Sequence, residues 1–176
     1  MRRRAIWCGL KGSLRQTSIC ALIYELTDSL ESGEIGPAGS TPPDEIREKI
    51  EQITHYLGME LPLHIADEEL DILPNLKARS LPEDELDGIL ERLGQEHEID
   101  EKLSDELNRA LASALQKLAS RRGLTDIAGR FAEAHCKHMK WENAVLLPLA
   151  RKRLTPEDLK RIGQNMARRR DVPYPG

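Results

Sequence analysis

Apolar residues follow the spacing of one helix face through most of the chain, and no segment between them alternates in the manner of a strand. The first such stripe, over residues 14–30, predicts a helix, and a Gly- and Pro-rich stretch at residues 31–43 predicts the loop that ends it. The stripe is formed by Leu14, Ile19, Leu22, Ile23, Leu26 and Leu30.

Three further long stripes follow the first one. Pro43 and the acidic residues after it predict the start of a second helix, which runs to about Ala78 with a kink near Gly58 and Pro62. Ser80 has the character of a cap and predicts the start of the third helix. The remaining predicted helices span residues 80–123, 125–153 and, as a short fifth helix capped at Thr155, 155–170.

Four long helices with no strand between them indicate an all-α fold, in which an up-down-up-down four-helix bundle is followed by a short extra C-terminal helix. The length suits one such domain with enough interior to bury a core. The predicted division is an N-terminal tail at residues 1–12, the bundle at residues 13–153, and the C-terminal helix and tail at residues 154–176.

Composition narrows the class of protein. Hydrophobic residues make up 39% and charged residues 32% of the 176 residues, and a net charge of −4 indicates no nucleic-acid partner. The apolar run from Ala5 to Leu10 is too short for an export signal and no stretch is long enough to cross a bilayer, so we expect no membrane association and a cytoplasmic location.

Because Cys8, Cys20 and Cys136 form no C-x-x-C pair, we expect neither a disulfide framework nor a cysteine zinc site, and we expect Cys20 and Cys136 to fill the core.

Three of the five histidines have a glutamate four residues later, one such pair on each of the second, third and fourth predicted helices. Residues four apart on a helix face the same way, so each pair can close on one metal ion or share its carboxylate between two. The pattern predicts a metal site, with three buried hydrogen-bonded pairs as the alternative. Imidazole and carboxylate donors without thiolate suit iron, manganese or zinc. The pairs are His64 and Glu68, His97 and Glu101, and His138 and Glu142.

The segments around these pairs resemble a known family. Residues 64–76, His-Ile-Ala-Asp-Glu-Glu-Leu-Asp-Ile-Leu-Pro-Asn-Leu, are similar to the second-helix signature of hemerythrin-like HHE cation-binding domains. Residues 138–150, His-Met-Lys-Trp-Glu-Asn-Ala-Val-Leu-Leu-Pro-Leu-Ala, are similar to its fourth-helix signature, and residues 95–98, Gln-Glu-His-Glu, resemble its third-helix histidine. The resemblance covers roughly residues 13–153.

This resemblance implies a hemerythrin-like bundle that holds non-haem iron as a carboxylate-bridged pair. It implies that His64, His97 and His138 are imidazole ligands. It also implies that Glu68 and Glu142 are the carboxylates that bridge the two irons.

The first and third predicted helices depart from the family pattern. Family members carry a first-helix histidine, where this chain aligns Ser13, with Gln16 one turn on, and neither side chain replaces imidazole well. Glu101 stands where hemerythrins have a second third-helix histidine; we include it in the predicted ligand set, with a solvated salt-bridge partner as the alternative. The iron next to His64 should therefore be weaker, or have an open position for water, O2 or NO.

Three polar residues near the ligands are interpreted less specifically. His135 lies about 60° around the helix from His138, so it either contacts a ligand or, as we expect, is a surface or core residue. Asp67 and Glu69 either face solvent or make contacts behind the ligands.

The leading functional hypothesis is a binding protein that takes up O2 or NO, or holds iron, as sensor, store or scavenger. A second, less favoured hypothesis is an enzyme that resembles the repair proteins for iron–sulfur clusters, although those usually carry an extra cysteine-bearing N-terminal region, which we do not expect here. A third is a helical interaction protein whose metal site is lost, which the missing first-helix histidine favours. The oligomeric state is left open.

Overall fold

The computed structural model describes residues 12–32, 42–115 and 121–175 of the chain. Outside these ranges lie residues 1–11 of the predicted N-terminal tail, residues 33–41 of the predicted loop, and residues 116–120, through which the third helix is predicted to continue. The side chains of residues 12–18 also lie outside the described part, so the expectations for Ser13 and Gln16 stay predictions.

The first two helices occupy the positions that the apolar stripes predict. Helix α1 spans Gly12–Glu31, and helix α2 begins at Asp44, directly after Pro43. Helix α2 extends over residues 44–79 without leaving the helical conformation. Its α-helical segments are Asp44–His55, Leu61–Asp67 and Leu73–Arg79, and the π-helical turns Tyr56–Glu60 and Glu68–Ile72 join them.

Each π-helical turn in α2 comes directly before a Leu-Pro pair. Proline has no N–H to donate and its ring clashes with the carbonyl four residues back, which disfavours an undistorted α-helix. In the widened turns the two leucines donate their N–H groups five residues back, to the carbonyls of Tyr56 and Glu68. The predicted kink near Gly58 and Pro62 is therefore a π-turn inside a continuous helix, and Pro74 follows a second π-turn.

Helix α3 spans Leu86–Leu115 and begins later than Ser80, its predicted start. A short 3₁₀ turn, Pro82–Asp84, precedes it. The Asp84 carboxylate accepts a hydrogen bond from the Leu81 N–H, and Glu85 has a left-handed backbone. These two features keep the Pro82 segment separate from the helix that follows.

Three helices follow α3 in the described part of the chain. Helix α4 spans Arg121–Ala144 and, after a break at Val145, is followed by helix α5, Leu146–Arg153. Helix α6 spans Pro156–Arg169, and Thr155 caps it as the sequence predicts.

The long helices form a bundle in which α1 contacts α2 and α4, while α3 contacts α4 and the first half of α2. Almost all described residues are helical and none of them lies in a strand, which confirms the predicted all-α fold. Helix α6 packs on the second half of α2. None of the helices in the described ranges is long and apolar enough to cross a membrane.

Two apolar cores lie along the bundle with a polar layer between them. Among the described residues, α1 contributes only to the first core and α6 only to the second. On α2 the first core ends at Ile65 and the second begins at Ile72, while on α3 the corresponding residues are Leu103 and Leu93. The predicted metal ligands His64 and His97 fall at or inside this layer.

Cys20 of α1 and Cys136 of α4 form a disulfide, with their Cα atoms 6.3 Å apart. The expectation that both cysteines are simple core fillers without a disulfide is therefore wrong. The two residues are 116 positions apart in the sequence, so no local motif marks them as partners. Only the packing of α1 against α4 brings the sulfur atoms together.

Candidate metal centre

Helices α2 and α4 share a local design around their predicted ligands. In each, a glutamate follows a histidine by four residues and a proline follows the glutamate by six. In α2 the π-helical turn Glu68–Ile72 precedes Pro74, and in α4 the helix breaks at Val145 before Pro148. Each helix is thus distorted at, or just after, the glutamate.

Five side chains from α2, α3 and α4 meet in the polar layer, with three imidazole Nε2 atoms facing two carboxylates. Glu68 has one oxygen 3.8 Å from His64 Nε2 and the other 3.0 Å from His97 Nε2. Glu142 has one oxygen 3.6 Å from His64 Nε2 and the other 2.9 Å from His138 Nε2. Each carboxylate therefore lies between His64 on one side and a second imidazole on the other.

Four of the predicted ligands form a compact group, because donor atoms of His64, Glu68, His138 and Glu142 all lie within 4.8 Å of one another. His97 joins this group through Glu68.

Glu101, the sixth predicted ligand, is not brought to the cluster, because its side chain is exposed. On α3 the position three residues after His97, Asp100, faces the interior and is buried, whereas the position four residues after it faces outward. The spacing alone did not distinguish these two positions, which are neighbours of His97 on the same side of an ideal helix.

Two further glutamates form hydrogen bonds with the Nδ1 atoms of His97 and His138, while the Nε2 atoms of these rings face the cluster. Glu69 accepts a hydrogen bond from His97 Nδ1 at 2.9 Å, and Glu96 accepts one from His138 Nδ1 at 2.9 Å. A carboxylate on Nδ1 sets the ring orientation and makes Nε2 a better metal donor. Glu69 thus takes one of its two predicted roles. Glu96 pairs with a histidine on another helix, so no spacing in the sequence indicated it.

Two imidazoles of the cluster have raised pKa values. Burial acts to lower the pKa of His64, but attraction to Glu68 and Glu142 outweighs it and raises the pKa to about 9. Burial also acts to lower the pKa of His138, but its contacts with Glu142 and Glu96 raise the pKa to about 10.

The two carboxylates of the cluster respond in opposite directions. Burial disfavours the ionised form of Glu142, yet its contacts with His138 and His64 hold the pKa well below its usual range. For Glu68, burial together with the nearby Glu142 charge raises the pKa despite the attraction of His64. A cation that binds here must displace protons from the imidazoles.

The donor set fits a bound cation. His64 Nε2 is buried without a hydrogen-bond partner among the described residues, and Glu142 Oε1 faces His138 outside hydrogen-bond geometry. Buried polar atoms without partners are costly, so a ligand that satisfies them stabilises the site. His64 is also the most accessible member, with 18% of its side chain exposed against 2–3% for the others.

A second buried polar chain, which the sequence did not reveal, lies beside the cluster. Asp100 accepts a hydrogen bond from His135 Nδ1 at 2.6 Å, which leaves Nε2 to accept one from the Tyr56 hydroxyl at 2.8 Å. The His135 ring is fully buried and its centroid lies 6.3 Å from that of His138. His135 is therefore a core residue, as expected, but one in a hydrogen-bonded network next to the predicted ligand His138.

The family assignment rests on a direct match. The sequence model described as the hemerythrin HHE cation-binding domain matches residues 15–150, which include the five clustered side chains and exclude α6. No curated protein and no solved structure matches the chain. The matched segment is most of the chain, its helices form the bundle, and its His and Glu side chains converge as a cation site requires. The chain therefore belongs to the hemerythrin HHE cation-binding family.

Proposed function

We propose that this protein binds non-haem iron as a carboxylate-bridged pair and uses it to take up O2 or NO, or to hold iron, as a sensor, store or scavenger. The observation that carries the proposal is the two-sided environment of Glu68 and Glu142. Each carboxylate directs one oxygen to His64 and the other to a second imidazole, His97 or His138. A carboxylate placed in this way is suited to bridge two ions rather than to chelate one.

The five side chains divide into two sets of donors. His97 and His138, whose ring centroids are 5.3 Å apart, would serve one ion, and His64 on the opposite side of the carboxylates would serve the other. Bound iron would supply the capacity to bind a diatomic ligand reversibly. The greater exposure of His64 favours entry from its side, since the other four members of the cluster are buried.

Metal analysis and absorption spectroscopy of protein from iron-supplemented cells test the proposal. We expect about two iron ions per chain and a ligand-to-metal charge-transfer band that changes with O2 or NO. Protein that takes up no iron, either in cells or on addition of ferrous iron to the metal-free form, would contradict the proposal.

Substitutions identify the ligands. We expect His64→Ala and Glu142→Gln each to lose at least half of the bound iron while the helical content is kept, because each removes a donor from the cluster. His55→Ala on α2 and Glu133→Gln on α4 are matched controls, since both side chains are exposed and away from the cluster. Glu101→Gln should also keep normal iron; a loss there would restore Glu101 to the ligand set.

A further inference from the structure

Helix α6 docks on the part of α2 that carries Glu68, although α6 lies outside residues 15–150, the segment that matches the family. Ile162 and Met166 of α6 share the second core with Ile72 and Leu76 of α2. The docking is therefore apolar at its centre.

Two buried aspartates of α2 stand on either side of Glu68. Asp67 directly precedes the π-helical turn Glu68–Ile72 and Asp71 lies inside it, and both are at most 4% exposed. Their neighbour Glu68 faces the imidazoles, whereas these aspartates face α6. Buried carboxylates need partners, because an unpaired buried charge is costly.

Arg169 of α6 supplies partners to both aspartates at once. Its Nε donates to Asp67 at 2.9 Å and its Nη2 donates to Asp71. Arg170 adds a contact to Asp67 at 2.7 Å, and Asn165 donates to Asp71 at 2.6 Å. A planar guanidinium that bonds two carboxylates fixes their relative position, which a single point charge does not.

We propose that Arg169 positions Glu68 for metal binding by clamping the two aspartates beside it, and that metal binding in turn favours the docking of α6. The inference rests on the proposed metal-binding function and extends it to a regulatory coupling. Asp67 directly precedes the π-helical turn that carries Glu68 and Asp71 lies inside it, so fixing both aspartates limits the backbone conformations of that turn. If docking strengthens metal binding, metal binding must strengthen docking by the same factor.

Anaerobic titration of the metal-free full-length chain with Fe²⁺ tests the first half of this coupling. We expect Arg169→Gln to bind Fe²⁺ more weakly than the wild type, but by no more than the ~10- to 100-fold that follows removal of a group bonded directly to a ligand, because Arg169 acts on Glu68 through the two aspartates. Arg169→Lys keeps the positive charge but cannot bond both aspartates as the planar guanidinium does. Its Fe²⁺ affinity should lie between those of the wild type and Arg169→Gln, and it serves as the test if Arg169→Gln does not fold.

Arg153→Gln is the matched control for a purely structural effect. Arg153 of α5 also pairs through Nε with an aspartate of low side-chain exposure, Asp84, at 2.6 Å, but this pair lies at the turn before α3 and does not involve α2. It should lose stability without a change in Fe²⁺ affinity.

Hydrogen exchange tests the second half of the coupling, in which metal binding favours the docking of α6. We expect the α6 amides of the wild type to exchange more slowly when Fe²⁺ is bound, and this added protection to disappear in Arg169→Gln. If the wild type binds Fe²⁺ and Arg169→Gln binds it with equal affinity, the coupling is overturned and the metal-binding function stands. A wild type that binds no Fe²⁺ would remove the function and the coupling together.

Discussion

At the scale of single residues, the proposed ligand His138 is held by a network that extends to the surface. Glu96, which accepts the hydrogen bond from His138, also accepts one from Arg92 Nε at 2.9 Å. The Arg92 guanidinium lies 4.5 Å above the Trp141 ring. Trp141 is on α4, one residue before the proposed ligand Glu142, so this chain of contacts fixes α3 against α4 at the level of the candidate site.

This network predicts a specific role for Glu96. Replacing Glu96 by Gln removes the negative charge behind His138 and should weaken iron binding about 10- to 100-fold, because the imidazole becomes a poorer and less well oriented donor. Iron affinity measured by competition with a chelator gives the result. Glu98→Gln, an exposed substitution of the same kind on the same helix, should have no effect, and an equal loss in both variants would refute the role.

At the scale of the element, α6 is stabilised by a reciprocal cap. The Asp158 N–H donates to Thr155 Oγ1, while the Asp158 carboxylate accepts from the Thr155 N–H. The same carboxylate receives bonds from Arg79 of α2 and from Arg161. Asp158 thus starts the helix and also joins it to α2.

The pH dependence of α6 follows from this arrangement. Burial acts to raise the pKa of Asp158, but its bonds with Thr155, Arg79 and Arg161 outweigh burial and hold the pKa well below the usual 3.8. The stabilisation is therefore fully present above pH 3.8 and is lost as the pH falls through the lower folded-state value.

We expect Asp158→Asn to lower the free energy of unfolding by about 1 kcal/mol or more at neutral pH, because a neutral amide cannot replace the charge-assisted hydrogen bonds that the carboxylate accepts from Arg79 and Arg161. The difference from the wild type should shrink as acid protonates Asp158, which urea unfolding at a series of pH values measures. Glu157→Gln is the control, because Glu157 is an exposed first-turn residue of the same helix. A pH-independent difference would argue against the ionised cap.

At the scale of the whole molecule, the bundle is held at two levels. The first core joins α1 to the other long helices, and the disulfide between Cys20 and Cys136 ties α1 to α4 at the same end. In the second core, α6 packs against the other helices and α1 contributes no described residue. Disulfides persist mainly in oxidising surroundings, so the redox state of this pair bears directly on the predicted cytoplasmic location.

Reduction of this disulfide should destabilise the fold. Its closed loop spans 116 residues, and the entropy that such a crosslink removes from the unfolded chain corresponds to at most about 5 kcal/mol. Denaturant unfolding with and without a thiol reductant measures the difference, with Cys8→Ser to exclude the third cysteine. Equal midpoints, or two free thiols at residues 20 and 136 in native protein under oxidising conditions, would contradict the bond.

Much of this molecule is determined by its sequence alone. Apolar residues at helical spacing set the helices, Pro43 and Thr155 mark two of their starts, and the histidine–glutamate spacing identifies five of the side chains in the cluster. These features are local, because a helix forms from bonds between residues about four apart and its faces follow from its pitch. The resemblance to the family predicted the same five residues as ligands.

Tertiary structure alone decided the rest. Whether Asp100 or Glu101 faces the interior depends on the rotation of α3 in the bundle, which spacing leaves open. The contacts of Glu96 with His138, of Cys20 with Cys136 and of Arg169 with α2 join residues far apart in sequence. Such pairs form only when whole helices pack. The free energy that drives this packing comes mainly from burying the apolar side chains of the two cores, and the polar pairs follow from it.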